Sequence, residues 1–268
     1  MSFWGTSFVF NDIPCEEFDL MMYDIDGAGD NSASYASSVS IVEKTVGKRW
    51  KPHFHGVKFD KKLSFDITFG VNQDRLDAGR FLDRFEMENI ASWLTGHHEY
   101  KWLLIDQPDM EQVRYNCFIT DLSTVSYGSV PWALKATVTC DSAYAYLPES
   151  VSTYDIAGET QIVFDNLSSI NDCLYPMIEF QPDGSSESLV ITNVSDDMRT
   201  FKIENIPGSV SQINIDCDRC IISNDQNLNL YGLCNFRFPR LKRGINVLNI
   251  VGSGTLNIRC EFPIDIGG

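Results

Sequence analysis

The sequence predicts a mainly β protein with one main helix, divided into a mixed first domain and an all-β second domain. Three observations predict it. Leu256, Ile258, Cys260 and Phe262 alternate with Asn257, Arg259 and Glu261, the period of a strand with one face in a core and one in water. Similar runs recur from Thr160 onward, separated by turn clusters such as Pro182-Asp183-Gly184 and Pro207-Gly208. One stretch in the first domain carries apolar residues at helical spacing.

The elements follow in chain order. In the first domain, residues 1–142, Phe8, Phe10 and Ile13 read as a strand ending at Pro14. Asp24 to Ser38 is rich in Gly, Ser, Asp and Asn and reads as a loop. Alternation resumes over Val39 to Val46 and again at Leu63, Phe65, Ile67 and Phe69. The helix follows, with Asp74 or Asp77 as its cap, Gly96 as its end, and Phe81, Leu82, Phe85, Ile90, Trp93 and Leu94 on one face. Strands are expected at Trp102–Ile105, Tyr115–Leu122 and Leu134–Cys140.

Residues 143–157 are weakly patterned and read as a linker. The second domain, 158–268, has candidate strands at Thr160–Phe164, Pro176–Phe180, Ser188–Thr192, Thr200–Glu204, Gln212–Cys217, Cys220–Ser223, Gly244–Val251 and Thr255–Phe262. Gly252-Ser253-Gly254, between the last two, reads as the turn of a hairpin. Eight strands at this spacing predict a β-sandwich of jelly-roll type.

A net charge of −16 is shared evenly, with −8 in residues 1–147 and −8 in the remainder. Such a surface repels phosphate backbones, which argues against duplex nucleic acid as a bound partner. The 268 residues contain no apolar run of about eighteen residues. No secretory signal is expected at the N-terminus. The eight cysteines read as reduced, mostly buried thiols of a protein made in a cytoplasm.

Motifs for chemistry are sparse. Cys217-Asp218-Arg219-Cys220 is a lone CxxC between two strands, which favours a turn over a zinc or redox site. His53 and His55 share a strand face, with no obvious third metal ligand. His97-His98 follow the helix, where a cation meets the carbonyl end of the dipole. Asp24 to Asp30 starts like a calcium loop but has Tyr35 where the motif needs a glutamate. Asp106 and Asp109 are the carboxylates that a hydrolase reading would use. Tyr231, Tyr154 and Tyr175 are the aromatics that a sugar-binding reading would use, although all five tryptophans lie in the first domain. The notable basic cluster of the second half, Arg237, Arg240, Lys242 and Arg243, suits docking against an acidic neighbour or a plain solvated loop. No catalytic residue, cofactor or metal is expected.

The order of short motifs resembles the distal tail proteins of long-tailed phages. Those motifs are Phe8-Val-Phe10-Asn11, Ile90-Ala-Ser-Trp93-Leu94, the strand running into Asp106, and Val138-Thr-Cys140-Asp-Ser-Ala143-Tyr144-Ala, in which Ala143 replaces a frequent proline. They continue with Asn166 through Tyr175-Pro176-Met-Ile178-Glu-Phe180, then Val190-Ile-Thr-Asn193, Ile213-Asn-Ile215-Asp216 and Phe238-Pro239-Arg-Leu241-Lys-Arg-Gly244-Ile-Asn246. The resemblance implies a ring-forming first domain, a galectin-like second domain and a hexameric hub with a channel through which DNA passes unbound. The implied partners are the tail tube protein, a tail-tip or tail-associated lysin protein and the tape-measure protein. It implies a virion location without membrane insertion. It brings no catalytic residues.

Overall fold

The computed structural model describes residues 5–23, 39–47, 50–59, 62–108, 110–128, 130–170, 172–184 and 186–266. The loop expected over Asp24 to Ser38 lies outside them. The chain is mainly β and divides into two compact units, Met1–Leu147 with Asp265–Gly268, and Pro148–Ile264.

The first unit contains β1 (Phe8–Phe10), β2 (Ile13–Pro14), β3 (Leu20–Met22), β4 (Val39–Lys44), β5 (His53–Phe59), β6 (Ser64–Val71), α1 (Gln73–Asp77), α2 (Arg84–Thr95), β7 (Lys101–Ile105), β8 (Arg114–Tyr127), β9 (Val130–Cys140) and β10 (Ala145–Tyr146). Its main sheet runs β2-β1-β7-β8-β9-β6-β3. The Met22 N–H on β3 donates to Thr6 O just ahead of β1, so the sheet curls until its ends meet. Phe8, Phe10, Phe65, Ile67, Phe69, Leu103, Ile105 and Tyr115 point inward and are buried. The expected single N-terminal strand is instead a tight hairpin, because Asn11 and Asp12 both take positive φ, which a two-residue turn of this hand requires.

The helix starts later than expected. Asp74 and Asp77 fall in the five-residue α1, which Asn72 caps. Asp83 caps α2: its side chain accepts the Glu86 N–H while Glu86 reaches back to the Asp83 N–H. Two orphan donors are satisfied reciprocally. Gly96 ends the helix as expected. Ile90, Trp93 and Leu94 form its buried stripe. Trp93 stacks on Phe8 and Phe18, and its indole N–H donates to Phe10 O at 3.2 Å. Phe81 and Phe85, expected on the same face, are exposed instead. Phe81 precedes α2, so helical spacing does not apply to it.

The second unit contains β11 (Ser150–Asn166), β12 (Met177–Pro182), β13 (Ser188–Asn193), β14 (Arg199–Glu204), β15 (Ile213–Asp216), β16 (Ile221–Asn224), β17 (Gly244–Cys260) and β18 (Pro263–Ile264). Here the hairpin expected at Gly252-Ser253-Gly254 is not found. Gly244–Cys260 is one strand, paired residue for residue with Ser150–Asn166. Residues 150–157, which read as part of a linker, are the first half of β11.

The ribbon bends where Gly158, at φ +73°, lies opposite Gly252. On its far side, the first half of β17 pairs with β13 and, through it, β14. The second half pairs with β12, and through it with β15 and β16. One bent ribbon thus serves both layers of a sandwich. Gly254 makes the bend possible: at φ +140°, a Cβ there would sit 2.1 Å from Gln181 O. Ile162, Phe164, Phe180, Ile191, Phe201, Ile215, Ile250, Leu256 and Ile258 fill the core. Burial of each such side chain contributes about 1.5–3 kcal/mol.

Candidate functional site

Two surfaces differ from an ordinary globular exterior. The first is the hairpin β4–β5. It forms its own two-stranded sheet, hydrogen-bonded to no other strand among the described residues. A bulge between Val42 and Glu43 accommodates Gly56, at φ +139°. Ile41, Val42, Val46, Trp50 and Phe54 are all exposed, Trp50 to 93% and Phe54 to 67%. Trp50, Lys51, Pro52, His53 and Phe54 line an open cleft of about 520 Å³. A lone two-stranded hairpin is at best marginally stable in water, and apolar surface of this kind marks a contact site. Phe81, ahead of α2, and Phe85, in its first turn, are further exposed apolar side chains of the same unit, the latter to 78%.

The other surface is the 235–246 segment of the second unit, which carries the basic cluster. Three buried asparagines build it. Asn193 donates to Arg240 O and to Asn246 Oδ1. Asn246 donates to Lys242 O and Gly244 O, and Asn166 to Leu241 O and Lys242 O. The backbone carbonyls of an irregular segment are thereby satisfied from within the core. These are the asparagines of the motifs quoted above, and their work is structural.

The cluster itself is divided. Arg240 forms a forked pair with Asp196, Nε to Oδ2 at 2.7 Å and Nη2 to Oδ1 at 3.2 Å. Lys242 reaches the same carboxylate at 3.3 Å. Asp196 is 1% exposed. Its hydrogen bond from Arg240 holds its carboxyl below the usual carboxylate range. Both cations are therefore engaged inside the chain. Arg237 and Arg243 are exposed and form no ion pair among the described residues. Sequence reading missed Asp196, because its two partners lie more than forty positions downstream.

The remaining candidates do not converge. Asp106 is exposed at the end of β7, its N–H donating to Ser7 O, and Asp109 lies outside the described residues. His53 and His55 lie on the exposed hairpin, and no group of three or more metal-binding side chains occurs among the described residues. His97 Nε2 contacts Trp93 O at 2.7 Å, at the carbonyl end of α2. The CxxC forms the β15–β16 turn, with Asp216 accepting the Asp218 and Arg219 N–H groups and Cys220 at φ +57°. Tyr231 is tied down by its hydroxyl, which accepts the Ile222 N–H, and it stacks on the exposed Phe236.

All eight thiols are free. Cys15, Cys117, Cys140, Cys217 and Cys260 are buried, and Cys220 is exposed. Burial pushes Cys140 and Cys260 up to about 12 and Cys15 to about 11.

Family models match both halves: the phage tail protein N-terminal domain over residues 3–142, and the phage tail C-terminal domain over residues 144–260. Among solved structures the chain is similar to the Dit protein of phage SPP1, described as a paradigm of the hub adsorption apparatus in phages infecting Gram-positive hosts. The TM-score is 0.66 at 10% identity, over 96% of this chain and 98% of that one. It is also similar to a chain of the phage P2 baseplate in its activated conformation with calcium, at TM-score 0.49 and 9% identity over 96% and 97%. No curated protein gives a match. At such identity the SPP1 likeness establishes a shared fold, while the family models carry the assignment. With both halves matched by its models, the chain belongs to the phage tail protein family, and it shares its fold with a tail hub protein.

Proposed function

We propose that the chain is the subunit of a closed ring, six copies around a channel, that joins the tail tube to the tail tip and lets DNA through. The observation that carries this reading is the hairpin β4–β5, paired with no other strand among the described residues, with Trp50, Phe54 and Ile41 exposed. A hairpin on one copy and a different surface on the next, such as that carrying Phe85, make a heterologous contact, which closes into a ring where the rotation between copies closes. The net charge of −16 suits a channel along which DNA slides without binding. The tail tube protein, a tail-tip or tail-associated lysin protein and the tape-measure protein are the neighbours this reading requires. Arg237 and Arg243 are the cations left to meet an acidic neighbour. The protein acts by geometry, without catalysis or a cofactor. It is made in the host cytoplasm and ends in the virion.

Light scattering after size exclusion, at several concentrations and with negative-stain images, tests the ring. We expect a mass near six chains, and a monomer for the double variant Trp50→Ala, Phe54→Ser with its circular dichroism unchanged. A wild-type monomer at every concentration, also in the presence of the tail tube protein, would overturn the reading.

A second reading, sugar binding by the sandwich, is favoured by one observation: exposed Phe236 stacks nearly parallel (12°) on Tyr231, a platform on which a sugar ring can lie. Binding on a glycan array that disappears in Phe236→Ala would support it, and an array without signal would dismiss it.

A further inference from the structure

The sandwich treats its strand edges unequally. The β14 edge is closed: Asn235 accepts the Lys202 N–H on its side chain, donates its amide to Thr200 O, and donates its own N–H to Lys202 O. On β16, the Tyr231 hydroxyl accepts the Ile222 N–H. The third edge is β11, the longest. β17 covers one side of it, and among the described residues no strand pairs with the other. An open row of N–H and C=O groups is a template for another strand.

Beyond Gly158, the run 159–166 pairs with β17 without a register shift. Ile162, Phe164 and Asn166 turn inward, while Glu159, Gln161, Val163 and Asp165 are exposed. Gln161 is tied across the ribbon to Asn249 at 2.9 Å. Glu159 and Asp165 form no ion pair among the described residues, and β11 contains no lysine or arginine. Val163 is 61% exposed, and Ile245 on the adjoining strand is 67% exposed. The edge therefore offers two carboxylates flanking Gln161 and the apolar Val163.

A second copy is a poor occupant. The antiparallel register that pairs residues 159–165 with themselves sets Glu159 opposite Asp165 twice, and like charges directly opposite are destabilising. We propose that residues 159–166 dock an extended segment of a different protein by strand addition. That segment carries lysine or arginine opposite Glu159 and Asp165, with β-branched or other apolar side chains between them. Backbone hydrogen bonds provide the attachment, and the alternating carboxylates and valine select the sequence.

The test uses the full chain and a labelled seven-residue peptide, with lysine at both ends and alternating threonine and valine between. Fluorescence anisotropy should show saturable binding, weakened about ten-fold or more in the variant Glu159→Lys, Asp165→Lys. A version with glutamate at both ends should not bind. The lysine peptide N-methylated along its bonding edge should lose binding, since it keeps the charge but not the donors. Equal binding by the N-methylated peptide would reduce the effect to charge attraction and overturn the proposal. So would absence of binding by the lysine peptide with circular dichroism showing a folded chain. Protection of the 159–166 amides that rises with protein concentration, in hydrogen exchange without peptide, would overturn it in favour of self-pairing. None of these readouts depends on ring formation.

Discussion

Two antiparallel ribbons in this chain have similar local structure and opposite surroundings. The β4–β5 hairpin pairs six residues with seven and exposes apolar side chains, with no other strand beside it among the described residues. The β11–β17 ribbon pairs seventeen with seventeen, and other strands extend it through both layers of a sandwich. Each has a glycine at almost the same backbone angle, Gly56 at φ +139° and Gly254 at φ +140°. Around Gly254 a Cβ would strike Gln181 O, whereas around Gly56 nothing lies within 4 Å. Pairing alone does not make a ribbon part of a core. What covers its faces and edges does, and that differs between these two ribbons.

Mutations can break this comparison. Gly254→Ala should have the largest effect, adding a backbone clash to left-handed strain, for about 3–5 kcal/mol lost from the second unit. Urea unfolding followed in that unit measures it, and an unchanged midpoint would mean that the bend tolerates a side chain. Arg240→Ala comes next, at about 3 kcal/mol near neutral pH, because it strips the main partner from a buried carboxylate. The pH dependence has a defined sign. Asp196 has a lowered carboxyl pKa in the fold, so its pairing stabilises above the ordinary carboxylate range and is lost as pH falls through the lower folded value. The gap between wild type and Arg240→Ala should therefore shrink below about pH 4; a gap constant with pH would count against the ion pair as its source. Gly56→Ala should have the smallest effect. Its strain stays within the hairpin, so the global midpoint should move by less than about 0.5 kcal/mol while the 39–59 amides exchange faster. A global shift comparable to that of Gly254→Ala would show that the hairpin belongs to the core after all.

The same contrast explains what the sequence made legible. Alternation at Leu256, Ile258 and Cys260 identifies the buried face correctly, because one buried face leaves a local period. Gly252-Ser253-Gly254 carries the chemistry of a hairpin turn, but its role is decided by β12, β13 and Gly158, all remote in sequence. The box Asp83-Arg-Phe-Glu86 is legible in the sequence as the helix start, whereas Asp74 and Asp77 belong to the short α1. The basic cluster was visible as four charges, yet Asp196 takes two of them, an outcome local inspection cannot reach. The exposure of Trp50 and Phe54 is hidden for the opposite reason: an exposed apolar residue leaves the same mark in composition as one in a core.

The buried thiols bear on the history of a particle. On the proposed reading, the protein folds in a reducing cell and then, after lysis, meets oxygen for as long as the particle persists. Cys140 and Cys260, pushed up to about 12, stay protonated at neutral pH and so are poor nucleophiles toward oxidants or mixed disulfides. Most of the covalent structure made at synthesis can thus survive release without repair, and weathering falls first on Cys220 at the tip of an exposed turn.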